Sequence, residues 1–487
     1  MNAQARNQKP SIISGAIWSV LDNTVSQVIT FIIFIILAKL LTPSIYGMLS
    51  VSLLVTQFFR NVIFDSIATS IVRMKSPTPV DYNSAFFLCF SLSVPAFLIV
   101  FLFAPVIEAY MKVPELANVI RGTGIIIVVS GLSRTHEAWL THNMMFRPLA
   151  IRSICSISIG GAVGVVLACK GYAVTSLVVQ QVVTSLISLV VLWVTTPWKP
   201  KMKISKDSIR ESVGFSKHVA LSNITNFANQ NSDVFFITYF LGTAGAGVYS
   251  AGKRIVNTLN TVLSSALMRV SLPAFTRYKN DLNEFGKKYL QATYFTVLVT
   301  APAFVGLSAL SHDITFLLLG QKWMPSVPIM QIVSAVGFVT SIGYYNHSVM
   351  FARDKPEWQA RLTLLYAISN VLAFYIFVRY GLIATALVFS IRTILLYPVS
   401  AWCALTLLNL TFRQYIREII VPIICAGGMC IILMGMQEFT LLNESWVGIA
   451  VKISVGAISY FILIFTITST SRKTMILSLA GKIFKRS

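Results

Sequence analysis

One apolar stretch of the sequence carries four hydrogen-bonding side chains at helical spacing. They are Asn223, Asn226, Gln230 and Asp233. Steps of three, four and three residues put all four on one face of a helix. The segment is long enough to cross a bilayer, and hydrocarbon cannot satisfy such groups. We therefore expect the row to face an interior cavity, where the amides hydrogen-bond to water or substrate; hydrogen bonding between helices is the alternative.

Three further helical segments show comparable polar rows. One carries Lys253, Asn257, Asn260 and Ser264, with Arg254 beside them and Arg269 further along; another carries Ser19, Asp22 and Ser26; a third carries Gln57, Arg60 and Asp65. A charged side chain at the centre of a bilayer costs on the order of 3 kcal/mol. The rows should therefore face one another or water rather than lipid.

Basic residues outnumber acidic ones within the apolar segments, and this balance favours anions. Arginine binds phosphate and carboxylate through paired, charge-assisted hydrogen bonds. The predicted substrate-binding residues are Arg60, Asn223, Asn226, Gln230, Lys253, Arg254, Asn257, Arg269 and Arg392. Other cations have simpler explanations: Arg134 could pair with Glu137 three residues on, and Lys39 and Lys452 could extend to the membrane interface.

The acidic residues suggest a second chemistry. A carboxylate in a partly dehydrated cavity can take up and release a proton as its access alternates between the two sides of a membrane. Asp22, Asp65 and Asp233 are therefore candidates for coupling transport to a proton or cation gradient. Ion pairing with a neighbouring arginine is the alternative.

The elements that position these residues are transmembrane helices. The chain has 487 residues, of which 55% are hydrophobic and only 11% are charged, and its mean hydropathy is +0.74. Runs of about 20 apolar residues cross a bilayer as helices. We predict an all-α polytopic membrane protein with fourteen spans, at 11–40, 46–72, 83–106, 116–140, 149–168, 171–196, 213–241, 247–272, 289–310, 326–351, 358–378, 381–406, 416–436 and 446–468.

The distribution of basic residues predicts the orientation. If the N-terminus is cytoplasmic, most of the 39 Lys and Arg residues lie on the cytoplasmic side. The opposite side holds only Lys112, Lys170, Lys322 and Arg379. This bias places both termini in the cytoplasm. Part of the net charge of +22 is therefore topological, and no nucleic-acid partner is needed to explain it.

The second half of the chain repeats the first. "LLTPSIYGMLS", residues 40–50, aligns with "FLGTAGAGVYS", residues 240–250, so that Gly47 matches Gly247. "GYAVTSLV" at 171–178 likewise aligns with "GLIATALV" at 381–388. We predict two pseudo-symmetric six-helix lobes with substrate held between them. The domains are an N-terminal lobe at 1–196, a basic cytoplasmic linker at 197–212, a C-terminal lobe at 213–410, and two extra helices with a basic cytoplasmic tail at 411–487.

Several functions lack their sequence signatures. No GxxxxGK[ST] motif is present, so no ATPase is built in. The five histidines have no metal-ligand spacing, and the loops are too short to hold a catalytic domain. We therefore expect a transporter rather than an enzyme, with no cofactor, no metal and no catalytic residues.

Several segments carry a resemblance to a known family. These are residues 229–255, "LPAFTRY" at 272–278, "LAKLLTPSIYGMLSV" at 37–51, "GQKWMPSVPIMQIV" at 320–333 and "MFARDKPEW" at 350–358. Together they resemble the Wzx-type lipid-linked oligosaccharide flippases, the polysaccharide transporter family of the multidrug/oligosaccharidyl-lipid/polysaccharide (MOP) exporter superfamily. The colanic-acid type is the most similar group that we can suggest.

The resemblance implies a fold like that of the MATE transporters and alternating access to a central cavity. The implied substrate is an oligosaccharide on undecaprenyl pyrophosphate, moved from the cytoplasmic to the periplasmic leaflet of the bacterial inner membrane. The implied partners are this polyprenyl-pyrophosphate-linked oligosaccharide, membrane lipids and other polysaccharide assembly proteins. The anionic pyrophosphate agrees with the excess of buried cations.

Two other functions stay open on the sequence. A cation-coupled multidrug exporter of the same superfamily should carry acids rather than bases in its cavity. A membrane-embedded polysaccharide polymerase or glycosyltransferase should carry a large extramembrane loop with paired acids. Uptake of a fluorescent cation, or the formation of new glycosidic bonds, would distinguish these functions from a flippase.

Overall fold

The protein is described by a computed structural model covering residues 12–277, 281–437 and 444–468, although the side chains of 12–14, 16, 265–277 and 437 lie outside this description. Over these residues, no β-strand occurs and fourteen long helices follow one another. Thirteen candidate membrane spans are found there by length and hydropathy, one of which contains two helices. The predicted all-α membrane fold is confirmed.

The first six helices pair through short turns. They are α1 (Ile12–Leu40), α2 (Pro43–Arg73), α3 (Pro79–Met111), α4 (Leu116–His142), α5 (Phe146–Cys169) and α6 (Ala173–Thr195). Prolines at the first positions of α2 and α3 suit the helix start, where the backbone N–H needs no helical partner. Within α2, the segment Phe59–Phe64 is π-helical.

Gly242 divides the next helical stretch. Lys206–Arg277 is helical except at this residue, whose φ of 78° and ψ of 177° turn the chain between α7 (206–241) and α8 (243–277). A positive φ is readily available only to glycine. The remaining long helices are α9 (Leu282–Ala309), α10 (Val327–Ala352), α11 (Pro356–Phe377), α12 (Leu382–Leu407), α13 (Phe412–Gln437) and α14 (Trp446–Ile467), with the short helix Ser311–Leu319 after α9.

Both sequence repeats recur in the backbone. Gly171 and Gly381, with φ of 85° and 98°, directly precede the sixth helix of each half. At the other repeat, a Cβ on Gly47 would lie 1.8 Å from the carbonyl oxygen of Thr243, and a Cβ on Gly247 would lie 1.8 Å from that of Pro43. The two contacts are equivalent under the 200-residue offset, so they reproduce the expected pseudo-symmetry locally.

The helices form two compact units. The first contains residues 1–251 and 363–385, and the second contains 252–362 and 386–487. In the first unit, α4 packs against α2, α3 and α6, and α1 packs against α5. In the second, α9 packs against α10 and α13, with Phe285, Tyr289 and Tyr415 buried in the core. These units group the helices differently from the two lobes at 1–196 and 213–410 that the sequence predicts. The lobes therefore stay a prediction.

The predicted linker is shorter than expected and is anchored. Residues 196–205 lack regular structure, whereas 206–212 already belong to α7. The backbone N–H of Lys201 donates to Asn83 Oδ1 at 3.1 Å, and that of Ser205 donates to Ser84 Oγ at 3.0 Å. The Trp198 ring packs against Tyr82 with a centroid distance of 5.7 Å. These contacts tie the connection to the first turns of α3.

The position of Lys452 near a helix end suggested that its side chain extends to the membrane interface. The structure shows that it does not. Its side chain is fully buried, and Nζ lies 2.5 Å from Asp313 Oδ2. The second carboxylate oxygen, Oδ1, accepts the backbone N–H of Glu444 at 3.4 Å. The ion pair therefore joins α14 to the short helix Ser311–Leu319.

The Lys452 and Asp313 pair predicts an asymmetric mutational response. Lys452→Met should destabilise the protein by about 3–5 kcal/mol, because it leaves a carboxylate buried without its cation. The double variant Lys452→Met/Asp313→Leu should recover most of this loss, because it removes both charges. Thermal unfolding in detergent measures both effects.

Lys170→Met is the matched control, because Lys170 is exposed at the end of a helix in the first unit. It should leave the midpoint temperature nearly unchanged. A double variant as unstable as Lys452→Met would show that the carboxylate left behind is not the cause of the loss.

Candidate functional site

A polar face on α2 begins at its π-helical segment. Asn61, Asp65 and Thr69 are four residues apart, so they lie above one another on the helix. The π-helical turn Phe59–Phe64 contains the first of them and directly precedes the second. Such turns occur frequently at functional sites, because the extra residue redirects the side chains that follow.

This face borders a cavity of about 530 Å³ within the first compact unit. The walls are Asn61, Asp65, Ala68, Thr69 and Val72 of α2; Arg134, Glu137, Ala138 and Thr141 of α4; and Asn223, Asn226, Phe227, Gln230 and Asn231 of α7. Ten of these fourteen residues are polar. The cavity can therefore hold water or a hydrogen-bonding ligand inside an otherwise apolar protein.

The amide row on α7 serves two purposes. Asn223, Asn226 and Gln230 all line the cavity. Asn223 also connects helices, because Nδ2 donates to the carbonyl oxygen of Asn61 at 2.9 Å and to Ser66 Oγ at 3.1 Å. Both interpretations of the row thus apply: Asn223 joins α7 to α2, and it borders the cavity together with the next two amides.

An ionic network forms the α4 side of the cavity. Arg134 Nε lies 3.0 Å from Asp65 Oδ1, and a terminal nitrogen of the same guanidinium bonds Glu137. Arg152 of α5 bonds the other oxygen of Glu137. The local pair of Arg134 and Glu137 that the sequence suggested is present, but it belongs to a network that spans three helices.

Two predicted residues border this network. Arg60 interacts electrostatically with Arg134 and Asp65, and its side chain is exposed. Asp22 interacts electrostatically with Arg152 and accepts the Ser26 hydroxyl at 3.1 Å. The ion pairs themselves join two guanidinium groups, Arg134 and Arg152, to two carboxylates, Asp65 and Glu137, and the cavity lining has one cation and two acids. The excess of cations expected from the sequence is not found at this wall.

The three candidate coupling acids occupy different surroundings. Asp65 lines the cavity, and 35% of its side chain is exposed. Asp233 is only 1% exposed and accepts the backbone N–H of Val234 at 2.8 Å. Asp22 is half-buried. Of the three, only Asp65 belongs to the cavity lining.

The predicted cations of the second unit form a separate group. Lys253 Nζ and Arg392 Cζ each lie 5.7 Å from the centroid of the Phe389 ring. Arg254 is half-buried and Asn257 is exposed. Arg269 lies outside the residues whose side chains are described. Lys253 and Arg392, which are far apart in sequence, are therefore brought to one aromatic ring, an arrangement that cation–π attraction stabilises.

Asn260, which belongs to the same sequence row as Lys253, connects helices. Nδ2 donates to Thr340 Oγ1 at 2.9 Å, while Oδ1 accepts from Ser264 at 2.9 Å and from Ser341 at 3.1 Å. These bonds join α8 to α10. The alternative interpretation, hydrogen bonding between helices, describes this residue.

Sequence reasoning missed Asn61, Thr69, Thr141 and Asn231 of the cavity lining, and Arg152 of the ionic network. The i, i+4 repeat from Asn61 through Asp65 to Thr69 was a usable signal on α2. Arg152 had none, because its partner Glu137 lies on the preceding helix. In the described part of the chain, no group of three or more His, Cys, Asp or Glu residues could hold a metal ion.

Comparison with known sequences identifies relatives over most of the chain. A family model described as "Polysaccharide biosynthesis protein" matches residues 36–328. The teichuronic acid biosynthesis protein TuaB of Bacillus subtilis is 22% identical over 95% of this chain and 97% of its own. The lipopolysaccharide biosynthesis protein WzxC of Escherichia coli is 23% identical over 84% of both chains.

Solved structures share the fold at low sequence identity. The lipid II flippase MurJ in an inward closed conformation matches with a TM-score of 0.74 and 14% identity, over 92% of this chain and 97% of its own. An inward-facing multidrug resistance MATE transporter of the MOP superfamily matches with a TM-score of 0.54 and 13% identity, over 81% of this chain and 95% of its own.

These findings confirm the family resemblance, whereas a particular affinity to the colanic-acid type stays a prediction. They also agree with a multi-pass bacterial membrane protein that acts in transport. Because the family model covers 36–328, more than half of the 487 residues, the chain belongs to the polysaccharide biosynthesis protein family and has the fold of the MOP-superfamily transporters.

Proposed function

We propose that the protein is a flippase for a polyprenyl-pyrophosphate-linked oligosaccharide. It moves the repeat unit from the cytoplasmic to the periplasmic leaflet of the bacterial inner membrane by alternating access, and the product serves exopolysaccharide, capsule or O-antigen synthesis. Membrane lipids and other assembly proteins are the proposed partners, and both termini are cytoplasmic. The observation that carries the proposal is the amide-lined cavity among α2, α4 and α7.

The uncharged polar groups of this cavity suit a carbohydrate. Sugar hydroxyls both donate and accept hydrogen bonds, and the side-chain amides of Asn226, Gln230 and Asn231 do the same. Amides distinguish poorly between sugars, because each can turn to present either a donor or an acceptor. A flippase whose substrate is a large oligosaccharide needs such a polar wall more than it needs a tight pocket.

The anionic head group needs cations to bind it, but the one cation in the cavity lining already has carboxylate partners. Arg134 already bonds two carboxylates within the wall. The phosphate contacts that we propose are the predicted basic residues outside this lining, which are Arg60, Lys253, Arg254, Arg269 and Arg392. Lys253 and Arg392 both lie beside the Phe389 ring, which places two positive charges close together where an anion would be attracted.

The family relationship supports transport rather than synthesis. The relatives include a protein named for succinoglycan biosynthesis transport, ExoT of Rhizobium meliloti, which is 28% identical over 65% of this chain. The structural neighbour MurJ is a lipid II flippase. A multidrug exporter is the main rival function, and a fluorescent organic cation supplied to the same vesicles tests it: gradient-driven efflux of the cation without movement of lipid-linked oligosaccharide would favour the exporter.

Removing the amides should slow transport while leaving the fold intact. Asn226→Ala and Gln230→Ala should each lower the rate roughly five-fold, which corresponds to the loss of about one hydrogen bond. Reconstituted vesicles with a labelled polyprenyl-pyrophosphate oligosaccharide measure the rate. In cells, the same variants should accumulate the lipid-linked intermediate on the cytoplasmic side.

Asn143→Ala is the matched control for these variants. Asn143 is exposed directly after the end of α4, its amide donates to the backbone carbonyl oxygen of Trp139, and it is not among the residues that line the cavity. It should transport at the parent rate. Equal rates for the parent, the control and both cavity variants would exclude the amide wall as the path of the substrate.

Asp65 is the proposed coupling acid, because among the three candidates it lines the cavity and contacts a cation. Protonation of Asp65 would release the Nε side of Arg134 and so connect ion uptake to the ionic network. Asp65→Asn should abolish the acceleration that a proton or sodium gradient produces while leaving slow, gradient-independent movement. The ratio of rates with and without the gradient measures the coupling.

Asp207→Asn removes the same charge from the exposed first turn of α7 and should keep that ratio. The variants Asp22→Asn and Asp233→Asn test the two remaining candidate acids by the same ratio of transport rates. If Asp65→Asn responds to the gradient as the parent does, Asp65 is eliminated, and a loss in either of the other two variants would reassign the role.

A further inference from the structure

The first turns of α2 and α8 meet backbone to backbone. A Cβ built on Gly47 would lie 1.8 Å from the Thr243 carbonyl oxygen, and one on Gly247 would lie 1.8 Å from the Pro43 carbonyl oxygen. Real Cβ atoms do not come this close to backbone oxygen, so both positions require glycine. Small residues allow helices in membranes to approach in this way.

The contact is reciprocal, which distinguishes it from ordinary helix packing. Residues 43 and 243 are equivalent under the sequence repeat, as are 47 and 247. Gly47 therefore faces Thr243, the first residue of α8, and Gly247 faces Pro43, the first residue of α2. The hydroxyls of Ser44 and Thr243 add a hydrogen bond of 2.9 Å between the same turns. Two equivalent contacts of this kind are related by a local twofold axis, so each half of the chain contributes the same surface to the contact.

The contact and the cavity occupy opposite ends of α2. The lining of the cavity begins at Asn61, fourteen residues after Gly47, which is roughly 21 Å along a helix. On α7 the lining ends at Asn231, eleven residues before Gly242. With both termini cytoplasmic, the glycine contact lies at the extracytoplasmic ends of its helices, and the cavity lies in their cytoplasmic halves.

Two breaks in helical geometry lie between the contact and most of the cavity lining. On α2 this is the π-helical turn Phe59–Phe64, and between α7 and α8 it is Gly242, where an added side chain would meet no atom within 4 Å. Both are places where a helix can change direction without breaking a packed core. The contacting turns can therefore move relative to the cavity wall.

We propose that the reciprocal contact of Gly47 and Gly247 is the extracytoplasmic gate of the transporter. The gate is closed in this structure, and it must separate for substrate to leave the cavity on that side. The contacting residues carry no charge, so parting them exposes no ion. The proposal rests on the transport function proposed above, but the position of the gate is testable without transport.

Accessibility of the cavity tests the gate directly. Ala68→Cys places a reporter on the cavity wall, and a membrane-impermeant maleimide is added from the extracytoplasmic side of oriented vesicles. Labelling is measured over the background of the parent chain, which carries six cysteines of its own. Gly47→Ala or Gly247→Ala, each combined with the reporter, should raise labelling at least about ten-fold, the population shift that about 1.4 kcal/mol gives.

Gly427→Ala is the matched control, because a Cβ there would meet no atom within 4 Å. It should leave labelling of the reporter unchanged. Labelling that stays at the parent level in both gate variants, while circular dichroism shows the parent's helical content, would overturn the proposal. If a glycine variant unfolds, its circular dichroism spectrum shows a loss of helix. The crosslinking experiment below then tests the gate instead.

A crosslink tests the same contact by holding it closed, whereas the glycine variants are expected to open it. The pair Ser44→Cys and Thr243→Cys replaces two hydroxyls that already lie 2.9 Å apart, so oxidation should join them with little movement. The disulfide should stop transport almost completely, and reductant should restore it, while either single cysteine should show no oxidant effect. Mass spectrometry of the joined peptides measures the yield.

The outcomes separate the two proposals. A crosslinked protein that transports at the parent rate would show that the contact stays closed throughout the cycle, so it would not be a gate. A parent protein that moves no lipid-linked oligosaccharide would contradict the proposed function, yet the labelling experiment would still report whether Gly47 and Gly247 close the extracytoplasmic side.

Discussion

The structure depends on the inability of hydrocarbon to satisfy polar groups. Every charged or amide side chain within a span must find a partner or water inside the protein. The two units meet this requirement differently. In the first, polar groups of α2, α4 and α7 converge on a cavity, whereas in the second the buried side chains of Lys452 and Asp313 pair with each other. The described part of the chain thus contains both a polar cavity and a buried ion pair, and the cavity leaves room for a ligand.

The ionic network allows the cavity wall to contain charged side chains, because the positive and negative groups there pair with one another. Arg134 bonds Asp65 and Glu137 together, and Arg152 bonds Glu137 from α5. Such a network balances its charges locally and holds three helices in register, since removing one member would leave another buried without a partner. The amides of α7 therefore supply the exchangeable hydrogen bonds of the wall. This division suits an uncharged, hydroxyl-rich ligand better than an anion.

Small residues carry the pseudo-symmetry of the fold more than large ones do. The repeat around Gly47 and Gly247 is short and mostly apolar, yet it marks a position in each half where the backbones of α2 and α8 approach closely. Residues that face lipid need only be apolar to suit their surroundings, so the fold constrains their identity less than it constrains these glycines. This agrees with the similarity to MurJ, for which a TM-score of 0.74 accompanies an identity of only 14%.

The sequence by itself determined the all-α membrane fold, the number of long helices and the row of amides, because hydropathy and helical spacing act locally along the chain. It also identified the repeat and Asp65 as a polar residue that must avoid lipid. The tertiary structure alone decided that Arg134 bonds Asp65 and that Lys452 is buried against Asp313. It also decided that Asp233 is buried outside the cavity lining and that two glycines meet opposite backbones. Those facts depend on which helices become neighbours, and spacing along one helix carries no information about the helix packed against it.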